Sequence, residues 1–137
     1  MTTIPSIGVA SFYAALLSAI YIKLTLDVIK LRMNEKTPIG NDGSDALKRA
    51  VGAQNNFAQN SVWALLLLTL ADYAGVFALF LHLIMLAFVA SRLLHAYSLI
   101  KYEPQTGSYG LRRLGMMGTF FTIGALAVIN FYISIFG

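Results

Sequence analysis

The stretch from Lys48 to Leu70, KRAVGAQNNFAQNSVWALLLLTL, begins basic, passes through a run of amides and ends as almost pure hydrocarbon. In a water-soluble protein this would be an awkward helix. As a membrane-spanning helix it reads well, with a polar stripe on its first half. At about 100° per residue, Arg49, Gly52, Asn56, Gln59 and Trp63 share one side, and Asn60 lies close to it. Amides at bilayer depth are costly unless they face protein or a wet cavity. The stripe is therefore expected to point away from lipid, toward neighbouring helices or a ligand.

Composition points the same way. The 137 residues suffice for one domain, and 58% of them are hydrophobic against 12% charged, with a mean hydropathy of +0.70. A soluble domain carries about 25% charged residues, so the integral-membrane class is favoured. The absence of cysteine removes disulfides, thiolate nucleophiles and cysteine metal sites from consideration. The net charge of +4 raises nucleic acid and anionic lipid as partners. Nucleic acid is rejected, because the basic residues border hydrophobic spans and no nucleic-acid module is recognisable.

Outward from the central stretch, the chain divides into four spans, expected at about residues 6–33, 45–72, 76–100 and 111–136 of a single domain covering 1–137. The fold class expected is all-α, an integral membrane four-helix bundle. The opening MTTIPSIG has no Lys or Arg and so lacks the basic start of a secretory signal. In the first span Ser11, Ala15 and Ala19 recur every four residues, as do Ala10, Ala14 and Ser18, a spacing that suits close helix packing in lipid. Lys23 and Asp27 are four apart and can pair. Lys30 and Arg32 fall near the membrane edge.

Asn34 to Asp45 is a polar loop rich in turn-formers, and Ser44 or Asp45 can cap the second helix. The break at Asp72-Tyr73-Ala74-Gly75 is short enough to make helices two and three an antiparallel hairpin. In the third span His82 is expected to pack or sit at the interface, while Arg92 and His95 share a face and Arg92 must find a partner or a wet cavity. Lys101 to Gly110 is expected as a second polar loop. The fourth span begins at Leu111-Arg112-Arg113, with Gly115, Gly118 and Gly124 thinning its inner side. Asn130 stands as a lone amide with no assigned role.

All ten Lys and Arg belong to the end of the bundle that carries the first and third loops. The positive-inside rule then places the two long loops in the cytoplasm and both termini outside. Lys30, Arg32, Arg49, Asn56, Gln59, Arg92, His95, Arg112 and Arg113 converge there. Excess cation with few acids to match suits an anionic ligand such as a carboxylate, a phosphate or a thiolate. The bland reading is that the arginines hold lipid head groups. No Ser-His-Asp elbow, HExxH, Walker loop or di-carboxylate pair is present, and two histidines thirteen apart on one helix make no metal site.

These residues resemble the MAPEG family (membrane-associated proteins in eicosanoid and glutathione metabolism), particularly its small bacterial members. The second-helix pattern of that family, roughly R-A-H-x-N-x-x-E, stands here as Gly52-Ala53-Gln54-Asn55-Asn56-Phe57-Ala58-Gln59. The third-helix R-x-x-H stands as Arg92-Leu93-Leu94-His95, the fourth-helix arginine as Arg112 or Arg113, and the first-helix cation as Lys30. The resemblance covers nearly the whole chain, and the order and spacing of the motifs make it more specific than any one of them. It departs at Gly52, Gln54 and Gln59, where the family has arginine, histidine and glutamate. Arg49, one turn earlier, could supply the lost cation.

The resemblance implies a homotrimer in the bacterial inner membrane, binding glutathione as co-substrate between subunits near the cytoplasmic face. It implies a transferase or peroxidase acting on lipophilic small-molecule substrates that enter from the membrane lipids. Arg113, with Arg112 as alternate, would stabilise the thiolate. Lys30, Arg49, Asn56, Gln59, Arg92 and His95 would orient the tripeptide. The alternatives are a non-catalytic lipid-binding protein of the same fold and a small transporter or structural membrane protein.

Overall fold

The computed structural model describes residues 7–40 and 43–137. Four long helices form an up-down bundle: α1 (Gly8–Glu35), α2 (Asp45–Tyr73), α3 (Ala78–Tyr97) and α5 (Gly110–Phe136). Between α3 and α5 the chain passes through a π-helical turn (Ser98–Tyr102) and a short α4 (Glu103–Thr106). The Ser6 start expected for the first helix, the opening residues, and Asn41 and Asp42 of the first loop lie outside the described residues.

The side-chain distribution is that of a protein solvated by lipid. Tyr13, Leu17, Phe57, Leu68, Leu81, Met85, Phe88 and Leu126 form the buried core. Leu66, Leu70, Leu83, Leu86, Phe120, Phe121, Val128 and Phe131 face outward. So broad an exposed apolar surface is untenable in water. Three helical segments, Gly8–Glu35, Ala78–Thr106 and Gly110–Phe136, are long and apolar enough to cross a membrane. The 29-residue α2 matches them in length, but its amides make it more polar.

The connections are fixed by local polar bonds. Lys36, in the left-handed region at φ 54°, ends α1. Glu35 accepts from the backbone N–H of Ser44 at 2.9 Å and from its hydroxyl, drawing together the two ends of the first loop. Ser44 Oγ in turn accepts from Leu47 N at 3.1 Å, so Ser44 rather than Asp45 is the cap of α2. Gly75, at φ +81°, makes the tight α2–α3 turn. The Asp72 carboxylate accepts from Ala10 N at 2.8 Å, tying the start of α1 to the end of α2.

The α3–α5 contact is the closest in the bundle. A Cβ on Gly115 would lie 2.8 Å from Ser91 O and 2.9 Å from His95 N, and one on Gly118 would lie 2.2 Å from Ser91 Oγ. Gly124, grouped with them on sequence, has nothing within 4 Å and contributes no such approach. Of the small residues on α1, Ala10 is buried, but Ser11, Ala15 and Ala19 form an exposed row on the outer face.

The polar loop expected at Lys101–Gly110 is a correction. The chain stays helical to Thr106, because the π-turn widens the helix just before Pro104. A proline in a regular helix clashes with the carbonyl four residues back. Here the Glu103 N–H reaches Ser98 O in the wider ring, and Pro104 opens the first turn of α4. Only the segment around Gly107 to Tyr109 is a loop.

Candidate functional site

The cations gather at the end of the bundle where α3 passes into α4 and α5 begins. Arg92 is 1% exposed, the largest fully buried side chain among the described residues. Its Nη1 donates to Asn56 Oδ1 on α2 at 2.5 Å, and its Nη2 donates to Gly115 O at 3.2 Å and to Met116 Sδ at 3.6 Å. Its Nε is buried with no partner. Arg92 thus has neutral partners and no carboxylate among the described residues. His95, one turn on, is also buried, against the Gly115 face of α5.

Asn60 donates to Asn56 O at 2.8 Å, which holds the amide pair on α2 in register. The inner half of the expected amide stripe therefore faces protein. Its outer half does not: Gln59 and Trp63 are exposed on the surface of the bundle, Trp63 by 61%.

One acid does lie among these cations. Glu103 is a buried carboxylate with 1% of its side chain exposed. Arg49 Nη1 donates to its Oε2 at 3.3 Å and to Leu99 O at 3.3 Å. Arg112 Nε lies 3.3 Å from Oε1, and Arg112 also sits over the Tyr109 ring at 4.9 Å. Arg49 is therefore engaged within the bundle. Glu103 was missed because it was read as part of a loop. No spacing in the sequence marks it, because the π-turn at Ser98–Tyr102 shifts the helical phase between Arg92 and Glu103.

Arg113 is exposed, and no acid among the described residues pairs with it. With Arg112, Met116, Met117 and Phe120 it lines an open cavity of about 290 Å³. Lys30 is exposed on α1 and makes no hydrogen bond or ion pair to the other candidates. Arg32 spends its guanidinium on the loop, donating to Gly40 O at 2.9 Å. Gln54 donates to Thr25 Oγ1 at 3.1 Å, inside the α1–α2 contact.

Away from this end, Lys23 and Asp27 pair as their spacing predicts. The His82 ring lies tilted against Tyr13, whose hydroxyl meets its Nδ1 at 3.2 Å, a packing role. Asn130 donates to Leu67 O at 2.9 Å, which joins α5 to α2.

The fold and this constellation define a multi-pass membrane helix bundle with a buried arginine–amide contact and an arginine-rich end. The chain belongs to the MAPEG family, whose profile matches residues 10–132. It is 24% identical over 124 residues to the inner membrane protein YecN of Escherichia coli K12, covering 90% of this chain and 91% of the relative. The YecN protein of E. coli O6:H1 strain CFT073 matches to the same extent. No solved structure matches.

Proposed function

We propose that this chain is a membrane-bound, glutathione-dependent transferase or peroxidase acting on lipophilic electrophiles. It works as a homotrimer in the bacterial inner membrane, with the loops at 36–44 and 107–109 in the cytoplasm and both termini outside. The observation that carries this reading is Arg113. It is exposed, lacks an acid partner among the described residues, and borders a cavity whose other walls are Arg112, Met116, Met117 and Phe120.

The donor set suits an anionic tripeptide. Bound glutathione supplies the sulfur nucleophile. Arg113 donates to the sulfur as thiolate and so favours the charged form over the thiol. A charge-assisted hydrogen bond of this kind contributes on the order of 1.5–3 kcal/mol. Arg112 is restrained by Glu103, which makes Arg113 the better placed of the pair. Arg92 and His95 hold the wall formed by α3 and α5, and Arg92 fixes Asn56. Lys30 and Gln59, exposed on the protomer surface, are placed to meet a ligand or a neighbouring subunit. An exposed Gln59 on a membrane helix is also a reason for α2 to face another copy rather than lipid. Met117 and Phe120 give an apolar co-substrate its contact beside Arg113.

A second reading, a non-catalytic lipid-binding protein, is favoured by Gln54. Its amide is committed to Thr25, and so is withdrawn from any ligand. The two readings separate in a conjugation assay with glutathione and a hydrophobic aryl halide in proteoliposomes. Turnover that drops in Arg113→Ala supports the transferase. Lipid co-purification with no turnover, and lipid retained in Arg113→Ala, supports the second reading.

A further inference from the structure

The carboxylate of Glu103 is shared by three elements. Arg49 reaches it from α2 at 3.3 Å, Arg112 from α5 at 3.3 Å, and Ser98 Oγ from the π-turn at 3.3 Å. The π-turn makes this possible. A ring widened by one residue places Glu103, rather than Tyr102, above Ser98, and so carries the carboxylate inward. A buried carboxylate is tolerable only when paired and hydrogen-bonded, and here both oxygens have partners.

The two arginines it engages are still reachable, with 31% and 37% of their side chains exposed. Each retains donors that Glu103 does not use, since a guanidinium carries five. Arg113 follows Arg112 directly, so it projects about 100° away around α5 and escapes the carboxylate. One buried acid therefore divides three nearby arginines into two that are neutralised in part and one that pairs with no acid among the described residues.

We propose that Glu103 is the internal counter-anion of this end of the protein. It positions Arg49 and Arg112, holds shut a second anion position between them, and leaves Arg113 to receive the external anion. The identity of that anion rests on the function proposed above, but the division of the arginines does not. Glu103→Gln keeps the size of the side chain and an acceptor oxygen while removing the charge. It should open an anion position at Arg49 and Arg112, where a merely structural role for Glu103 would give no gain in anion binding.

The test uses the full-length protein in detergent, phenylglyoxal as an arginine-selective reagent, inorganic phosphate as the anion, and mass spectrometry of the peptides. No glutathione is present, so the outcome is independent of whether the protein uses it. In the wild type, Arg113 should be modified several-fold faster than Arg49 and Arg112, and phosphate should protect Arg113 alone. In Glu103→Gln, Arg49 and Arg112 should react as fast as Arg113 and gain protection by phosphate. Equal rates for the three arginines in the wild type would overturn the proposal, and this arm stands even if the variant does not fold. A folded Glu103→Gln protein in which phosphate protects neither Arg49 nor Arg112 would overturn it as well.

Discussion

Arg92 on α3 donates to the side-chain oxygen of Asn56 on α2, and this bond places a cation inside the bundle with no carboxylate among the described residues beside it. A buried guanidinium held by neutral acceptors depends heavily on each of them. Asn56→Ala should destabilise the protein by about 2–3 kcal/mol, because it leaves a buried cation under-partnered. Asn56→Asp supplies the missing countercharge and should restore or exceed wild-type stability. Thermal unfolding in detergent measures both, and an Asn56→Ala protein as stable as wild type would show that Gly115 O and Met116 Sδ satisfy Arg92 without the amide.

Gly115 and Gly118 differ in what a methyl group would strike. At Gly115 it meets backbone, Ser91 O and His95 N, which cannot swing aside. Gly115→Ala should force α3 and α5 apart and cost about 1–3 kcal/mol. At Gly118 the nearest atom is the Ser91 hydroxyl, which can change rotamer, so Gly118→Ala should cost less, and less again in a Ser91→Ala background. Gly124→Ala meets nothing and serves as the control. The expected order of melting temperatures is Gly124→Ala, then Gly118→Ala, then Gly115→Ala, from highest to lowest.

Asp72 caps a helix to which it does not belong. Its carboxylate takes the Ala10 N–H in the first turn of α1, where the helix dipole favours negative charge. Asp72→Ala should cost about 1 kcal/mol and speed hydrogen exchange at the first turn of α1. Exchange that accelerates only in the α2–α3 turn would contradict the cross-helix cap.

What could be read from the chain follows from what is local. The spans were legible because an apolar run flanked by cations has few other solutions in a membrane, and the cap of α2 was legible as one of two neighbours, Ser44 or Asp45. The place of Arg92 within a span was enough to require a partner or a wet cavity for it. The segment 101–110 was misread because Pro104, Gly107, Ser108 and Gly110 are all turn-formers, and a π-turn that absorbs a proline leaves no local signature. Missing that turn hid Glu103, and missing Glu103 left Arg112 and Arg113 indistinguishable. Their difference is set by an acid nine residues earlier, not by anything in their own neighbourhood. The outward placement of Lys30 and Gln59 was likewise hidden, since a helical face does not declare whether its neighbour belongs to the same copy.

The cysteine-free chain offers a direct test of sidedness. Single cysteines at Thr37 and Ser108 should be labelled only by a reagent reaching the cytoplasmic side, and one at Ala74 only from the opposite side. All three positions lie in or beside the described connections. Labelling of Ala74→Cys from the cytoplasm would reverse the proposed orientation.

The most direct measurement is calorimetric titration of glutathione into the purified, detergent-solubilised protein, with Arg113→Ala alongside. Loss of one charge-assisted hydrogen bond corresponds to roughly ten- to a hundredfold in affinity. The account predicts saturable binding to the wild type, weakened by about that factor in Arg113→Ala. No binding at millimolar glutathione, or binding that Arg113→Ala leaves unchanged, would contradict it.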